Sequence, residues 1–163
     1  VTLIEMKVSG LGLDKDSDSP VVLLKEADGE RVLPIWIGHA EASAIAIALE
    51  GIKVERPLTH DLIRAVIEGL KAKVSRILIN ELKNNTFYAK IYLERGKSII
   101  NVDARPSDSI ALALRVQVPI FVSQNVLSSS GTSMEIDDET RAKALKKFLA
   151  NLNPEDFGKY KIT

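Results

Sequence analysis

At 163 residues, with 45% hydrophobic and 27% charged side chains, the chain is sized for one core plus a terminal extension and is too apolar to be disordered. Cysteine is absent, which excludes disulfides and thiolate metal sites and leaves carboxylates and the two histidines as strong ligands. The net charge of zero hides a gradient: residues 1–61 hold 6 basic and 11 acidic side chains, residues 62–115 hold 10 and 5, and residues 116–163 hold 6 and 6, so the chain offers nucleic acid a local basic patch at most rather than an overall attraction.

In chain order, residues 2–8, 21–27 and 32–37 are β-branched or alternating and are separated by a turn-rich stretch and by Asp28-Gly29, which predicts a three-strand meander. Residues 41–51 follow. The run Ala44-Ile45-Ala46-Ile47-Ala48-Leu49 alternates with period two, as a strand does. Alanine favours helices, however, while Glu41 suits a helix start and Gly51 a helix end, so a helix is predicted. Apolar all round, it should be buried on several sides, in part by another subunit. Thr59 then caps an amphipathic helix in which Leu62, Ile63, Val66, Ile67 and Leu70 recur at helical spacing to about Lys73. Three more strands, residues 76–82, 86–94 and 97–103, are joined by Lys83-Asn84-Asn85 and Arg95-Gly96 as tight turns. Arg105-Pro106-Ser107-Asp108 opens a third helix, with Ser107 as its cap, that runs to about Val116, and residues 119–122 form a last short strand.

These elements predict an α+β domain over residues 1–127, with about seven strands in a mixed sheet or sheets and three core helices. Laying residues 35–49 over 100–114 matches Ile35 to Ile100, Ile45 to Ile110, Ala46 to Ala111, Ala48 to Ala113 and Leu49 to Leu114. That suggests an internal β-β-β-α duplication, with coincidental packing needs as the rival explanation. Residues 128–136 read as a Ser/Gly linker and residues 137–163 as a C-terminal helical extension that docks on the core, with Ala142, Leu145, Phe148, Leu149 and Leu152 on one side. No uncharged apolar run of about 18 residues occurs, and residues 1–10 lack a basic stretch ahead of an apolar one, so neither a membrane partner nor secretion is expected and a cytoplasmic location is. The all-apolar helix, together with residues 32–37, offers more apolar surface than one short domain covers, which predicts a homodimer or larger homo-oligomer.

Three stretches go beyond pattern: Leu33-Pro34-Ile35-Trp36-Ile37-Gly38 with Glu41-Ala42, then Arg56-Pro57-Leu58-Thr59-His60-Asp61-Leu62, then residues 103–113 from Asp103-Ala104-Arg105-Pro106 onward. With Thr86-Phe87-Tyr88-Ala89 and Pro119-Ile120-Phe121-Val122 in the same order, the chain resembles the bifunctional nuclease family over about residues 3–127. The tail, with Phe148-Leu149 and Asn153-Pro154-Glu155-Asp156-Phe157, is similar to that of bacterial members. The resemblance implies an oligomeric intracellular protein and hydrolysis of DNA and RNA, an activity ascribed to plant relatives.

Cleaving a phosphodiester needs an activated water and charge stabilisation, usually with a hard divalent cation, Mg²⁺ or Mn²⁺. Asp103 at a strand end and Asp108 at a helix start are candidate catalytic and metal-holding carboxylates, with Glu41 as a third ligand at the equivalent place in the first half. Arg105 and Arg56, each before a proline, are candidate phosphate ligands. His60 is a candidate general base and Asp61 its orienting or metal-binding neighbour. Each has a structural rival. Asp108, Asp61 and Glu41 complement helix dipoles, Arg105 bridges acids, and successive helical residues such as His60 and Asp61 point about 100° apart. Trp36 reads as core or interface ahead of a base-stacking platform. The two functions that fit are a nuclease of little sequence preference and a non-catalytic oligomeric binding or regulatory protein.

Overall fold

The computed structural model describes residues 2–133, 137–150 and 152. Seven strands form one mixed sheet: β1 (Leu3–Leu13), β2 (Pro20–Glu26), β3 (Val32–Trp36), β4 (Lys73–Lys83), β5 (Thr86–Arg95), β6 (Ser98–Ala104) and β7 (Ile120–Ser123). Among the described residues five helices accompany them: α1 (His39–Leu49), α2 (Thr59–Gly69), α3 (Pro106–Val116), α4 (Gln124–Ser130) and α5 (Asp138–Ala150). The predicted α+β class and strand number are those observed. Tight turns set the meanders: Asn84 and Asn85 both take positive φ, 52° and 59°, as a two-residue β4–β5 hairpin of type I′ requires, and Gly96 at φ 58° turns β5 into β6.

The sheet order is β3-β2-β1-β7-β4-β5-β6. Because β7 is antiparallel to β1 and parallel to β4, the two meanders run in opposite directions on either side of it. A half-turn about the sheet normal therefore carries β1-β2-β3-α1 onto β4-β5-β6-α3, and α1 packs against α3. The topology thus has the symmetry that a duplication produces. The gap-free match at a spacing of 65 is nevertheless out of step with it: α1 and α3 start at 39 and 106 and end at 49 and 116, a spacing of 67. At that spacing the fully buried Ala46 meets Ala113 and Ile45 meets Leu112, so the equivalence is set by which helical positions face the sheet.

Strand alternation sends Met6, Val22, Leu24, Leu33, Ile77, Ile79, Ala89 and Val122 to the helix-covered face, where they form the core with Ile45, Ala46, Ile110 and Leu112. The apolar character of α1 is accounted for within the chain, since it packs on α3, α5 and β2, and residues 32, 33 and 35 of β3 are buried too. Most of the apolar surface from which an oligomer was expected is therefore covered within the chain. Trp36 at the end of β3 is the exception, and further exposed large apolar side chains lie elsewhere: Leu62, Val66 and Leu70 along α2, and Ile99, Ile100 and Val102 on β6.

The linker begins later than expected. Residues 124–130 are helical, and Val126 and Leu127 are buried in the main core. Beyond them Thr132 bridges to Val32 at the outer edge of β3. α5 packs along β1 and α1, with Ala144 and Phe148 in the same core, and Gly10 lets it approach: a Cβ there would lie 2.6 Å from the Arg141 side chain. The tail motif at residues 153–157 falls outside the described residues. Among the described residues no helix is long and apolar enough to cross a membrane.

Candidate functional site

The starts of α1, α2 and α3 each carry an acid at the third helical position, Glu41, Asp61 and Asp108. Exposed backbone N–H groups and the helix dipole favour a carboxylate at such a place. The caps differ from those expected. Leu58 rather than Thr59 is the N-cap of α2, and Arg105 rather than Ser107 is the N-cap of α3, because Pro106, which has no N–H to leave unpaired, takes the first helical position.

Where α1 and α3 begin, Arg105 joins them. Its Nε donates to Asp108 Oδ2 at 2.8 Å and its Nη2 to Glu41 Oε1 at 2.7 Å. Those two carboxylates, Asp108 first, raise the guanidinium above its ordinary pKa. A Cβ on Gly38 would collide with the Glu41 carboxylate, so the residue without a side chain lets Glu41 fold back over its own helix start. From α2, His60 Nε2 lies 2.9 Å from Asp108 Oδ1, with His60 only 6% exposed. Glu41, Arg105, Asp108 and His60 thus form one chain of hydrogen bonds.

This chain lines an open cleft of about 680 Å³ between the starts of α1 and α2, into which His39, Pro57 and Leu58 also face. Both histidines of the sequence therefore line one cleft. On the other side of Arg105 a second cleft, of about 400 Å³, is lined by Trp36, Phe87, Asn85, Thr86 and Ser19. Trp36 is 55% exposed, so of the core and interface places its strand suggested the core is excluded, and its indole N–H donates to Asp14 Oδ2 at 2.8 Å. This contact and, ahead of it, the Asp16 backbone N–H lower the Asp14 pKa from its ordinary 3.8.

The other expected site residues separate from this group. Asp61 accepts from the Leu58 backbone N–H at 3.0 Å and from Arg115 Nε at 2.8 Å, so it closes the start of α2 and ties it to α3 instead of orienting His60. Asp103 is exposed on β6 opposite Lys90. It stands on the sheet face turned away from α1 and α3, because Ala104, one residue on, pairs with the buried Ala89. Arg56 is exposed, next in sequence to Pro57, which lines the cleft. Of the carboxylates expected to hold a cation, Glu41 and Asp108 come together on one guanidinium and Asp103 does not join them. Among the described residues no three His, Cys, Asp or Glu side chains gather as a metal would need.

The site residues missed in sequence are His39 and Arg115. Arg115 has a side chain only 6% exposed and also donates to the Ala111 carbonyl at 2.9 Å. Nothing local marks it, since a basic residue in the last turn of a helix is ordinary.

Comparison with known proteins bears on this arrangement. A family model described as the bifunctional nuclease domain matches residues 22–135. An uncharacterized protein of Mycobacterium tuberculosis (strain H37Rv) is 43% identical over 94% of this chain and 97% of its own length. Bifunctional nuclease 1 of Oryza sativa subsp. japonica is 28% identical over 68% of this chain, and Bifunctional nuclease 1 of Arabidopsis thaliana 23% identical over 69%. The aligned regions make up only 34% and 36% of those plant proteins. With a family model over most of its length and a relative aligned nearly end to end, the chain belongs to the bifunctional nuclease domain family.

Proposed function

We propose that the chain hydrolyses phosphodiester bonds of single-stranded nucleic acid in the cleft between α1 and α2. The observation that carries this reading is the His60–Asp108 pair at 2.9 Å on the wall of a cleft that continues past Arg105 into an aromatic one. If Asp108 accepts the proton on Nε2, Nδ1 is left as the basic nitrogen. His60 then takes a proton from a water that attacks phosphorus, and the bond from phosphorus to the leaving oxygen breaks as solvent protonates that oxygen. Arg105, exposed over much of its side chain, turns Nη1 toward a non-bridging oxygen, and Arg56 steers the chain at the rim. Trp36 and Phe87 take the neighbouring base by stacking, which an unpaired base permits. A Mg²⁺ or Mn²⁺ ion would have to displace the Arg105 guanidinium to use Glu41 and Asp108 together, so the steps are assigned to His60 and Arg105.

A second reading, a binding or regulatory protein without catalysis, is favoured by the charge of the cluster. One guanidinium faces two carboxylates, which gives a net charge of minus one with His60 neutral and makes Arg105 a brace between two helices.

The test is cleavage of end-labelled single-stranded DNA and RNA by highly purified protein, with chelator, Mg²⁺ and Mn²⁺ arms, beside His60→Gln and Asp108→Asn. The nuclease reading expects both variants to stay folded and to lose roughly 10²-fold or more in kcat. Wild-type protein inactive in every arm establishes the second reading instead, and His60→Gln as active as wild type overturns the assignment of the chemistry to His60.

A further inference from the structure

We infer that β6 is the seam of a homodimer, in which two copies join edge to edge and antiparallel so that one sheet runs through both. The two ends of the seven-stranded sheet differ. At β3 the edge is defended: Pro34 in mid-strand removes a donor, and Thr132 bridges to Val32 from outside. At β6 the outer row of backbone donors and acceptors meets no strand among the described residues. Pairing with β5 runs without a bulge from Ala89↔Ala104 to Arg95↔Ser98, and β6 contains neither Pro nor Lys. All three of its large apolar residues are exposed, Ile99 at 72%, Ile100 at 42% and Val102 at 42%. A long, flat, apolar edge of this kind templates another strand.

The occupant is a second copy, because the edge is complementary to itself. Antiparallel pairing centred on Asn101 sets Ile100 of one copy opposite Val102 of the other, twice, on the helix-bearing face. On the opposite face Asp103 falls across from Ile99, with Lys97 of the other copy as its diagonal neighbour, within the reach of a long side chain. The strand is acidic toward one end and is preceded by Arg95 and Lys97 at the other, so an antiparallel copy brings acid to base at both ends whereas a parallel copy sets like against like. A C2 pair related in this way closes on itself and leaves β3 as the outer edge of each half. It also gives Asp103 a place in the molecule. The interface is independent of whether the cleft is catalytic.

The sequence contains no cysteine, which makes the register directly readable. In full-length protein carrying Asn101→Cys, the two new thiols sit across the two-fold from each other and should join in a disulfide on mild oxidation, running at twice the monomer mass on a non-reducing gel. Glu30→Cys, on the far hairpin, should not cross-link under the same conditions. Light scattering of the wild-type chain at about 20 μM should give twice 17.9 kDa. Ile100→Lys/Val102→Lys should give the monomer mass with unchanged far-ultraviolet circular dichroism, since both side chains are on the monomer surface. The proposal is overturned by a monomeric wild type, by a dimer that survives the double lysine variant, or by Asn101→Cys cross-linking no better than Glu30→Cys.

Discussion

A guanidinium as enclosed as that of Arg115 is held by its partners, Asp61 and the Ala111 carbonyl. Removing it leaves a partly buried carboxylate without its counter-charge. Because Asp61 retains some solvent, the loss is set below the full value for a buried pair: Arg115→Met should destabilise by about 2 kcal/mol, lowering Tm by roughly 5 °C in a thermal melt. Asp103→Asn should leave both Tm and cleavage rate near wild type, in contrast to Asp108→Asn, since the two aspartates stand on opposite faces of the sheet. Glu26 supplies a pH signature. The Arg31 side chain and then its backbone N–H hydrogen-bond the Glu26 carboxylate and lower its pKa from the ordinary 4.5. A carboxylate depressed in the folded state contributes stability that is present above pH 4.5 and disappears as pH falls from there through the folded value. Acid titration followed by circular dichroism should therefore show Glu26→Gln less stable than wild type at neutral pH, with the difference shrinking below pH 4.5. At this scale the sequence made the acids visible, because helix starts select them. It did not make their partners visible, because His60–Asp108 spans 48 positions and Glu41–Arg105 spans 64. Only the folded chain decides which acid meets which base.

Among the elements, those governed by local rules were legible. The Asn84-Asn85 and Gly96 turns follow from which residues tolerate positive φ, and the Ala/Ile run of α1 was resolved by alanine's preference over its misleading alternation. α4 was not legible. Seven residues rich in serine have little intrinsic tendency to form a helix, and this one is held by Val126 and Leu127 packing into the core. α5 was legible as an appended helix that docks on the core, but its amphipathic pattern does not say which surface it meets. Phe148 is 3% exposed within the main cluster, so Phe148→Ala should destabilise the whole domain by about 3 kcal/mol in urea unfolding, with a single transition. A truly separate helix would leave the midpoint unmoved.

For the molecule as a whole, the palindromic arrangement of strands has a consequence for the order in which the protein is made. The strand joining the two meanders, β7, comes from residues 120–123, and its pairing of Leu3 with Ser123 links positions 120 apart. Each hairpin can form as soon as its own residues are available, because its contacts are local. The sheet cannot become one until almost all of the core has been synthesised, and the first meander must wait with its inner edge open. Closing that gap is a high-contact-order event and should limit the folding rate. In stopped-flow refolding, Val122→Ala should therefore act mainly on the folding rate constant, while Leu33→Ala in the outlying β3 should act mainly on unfolding. A chain stopped before β7 would present the unpaired flanks of β1 and β4 to solvent, and a cell making it would meet that exposure on every ribosome until the last strand emerges.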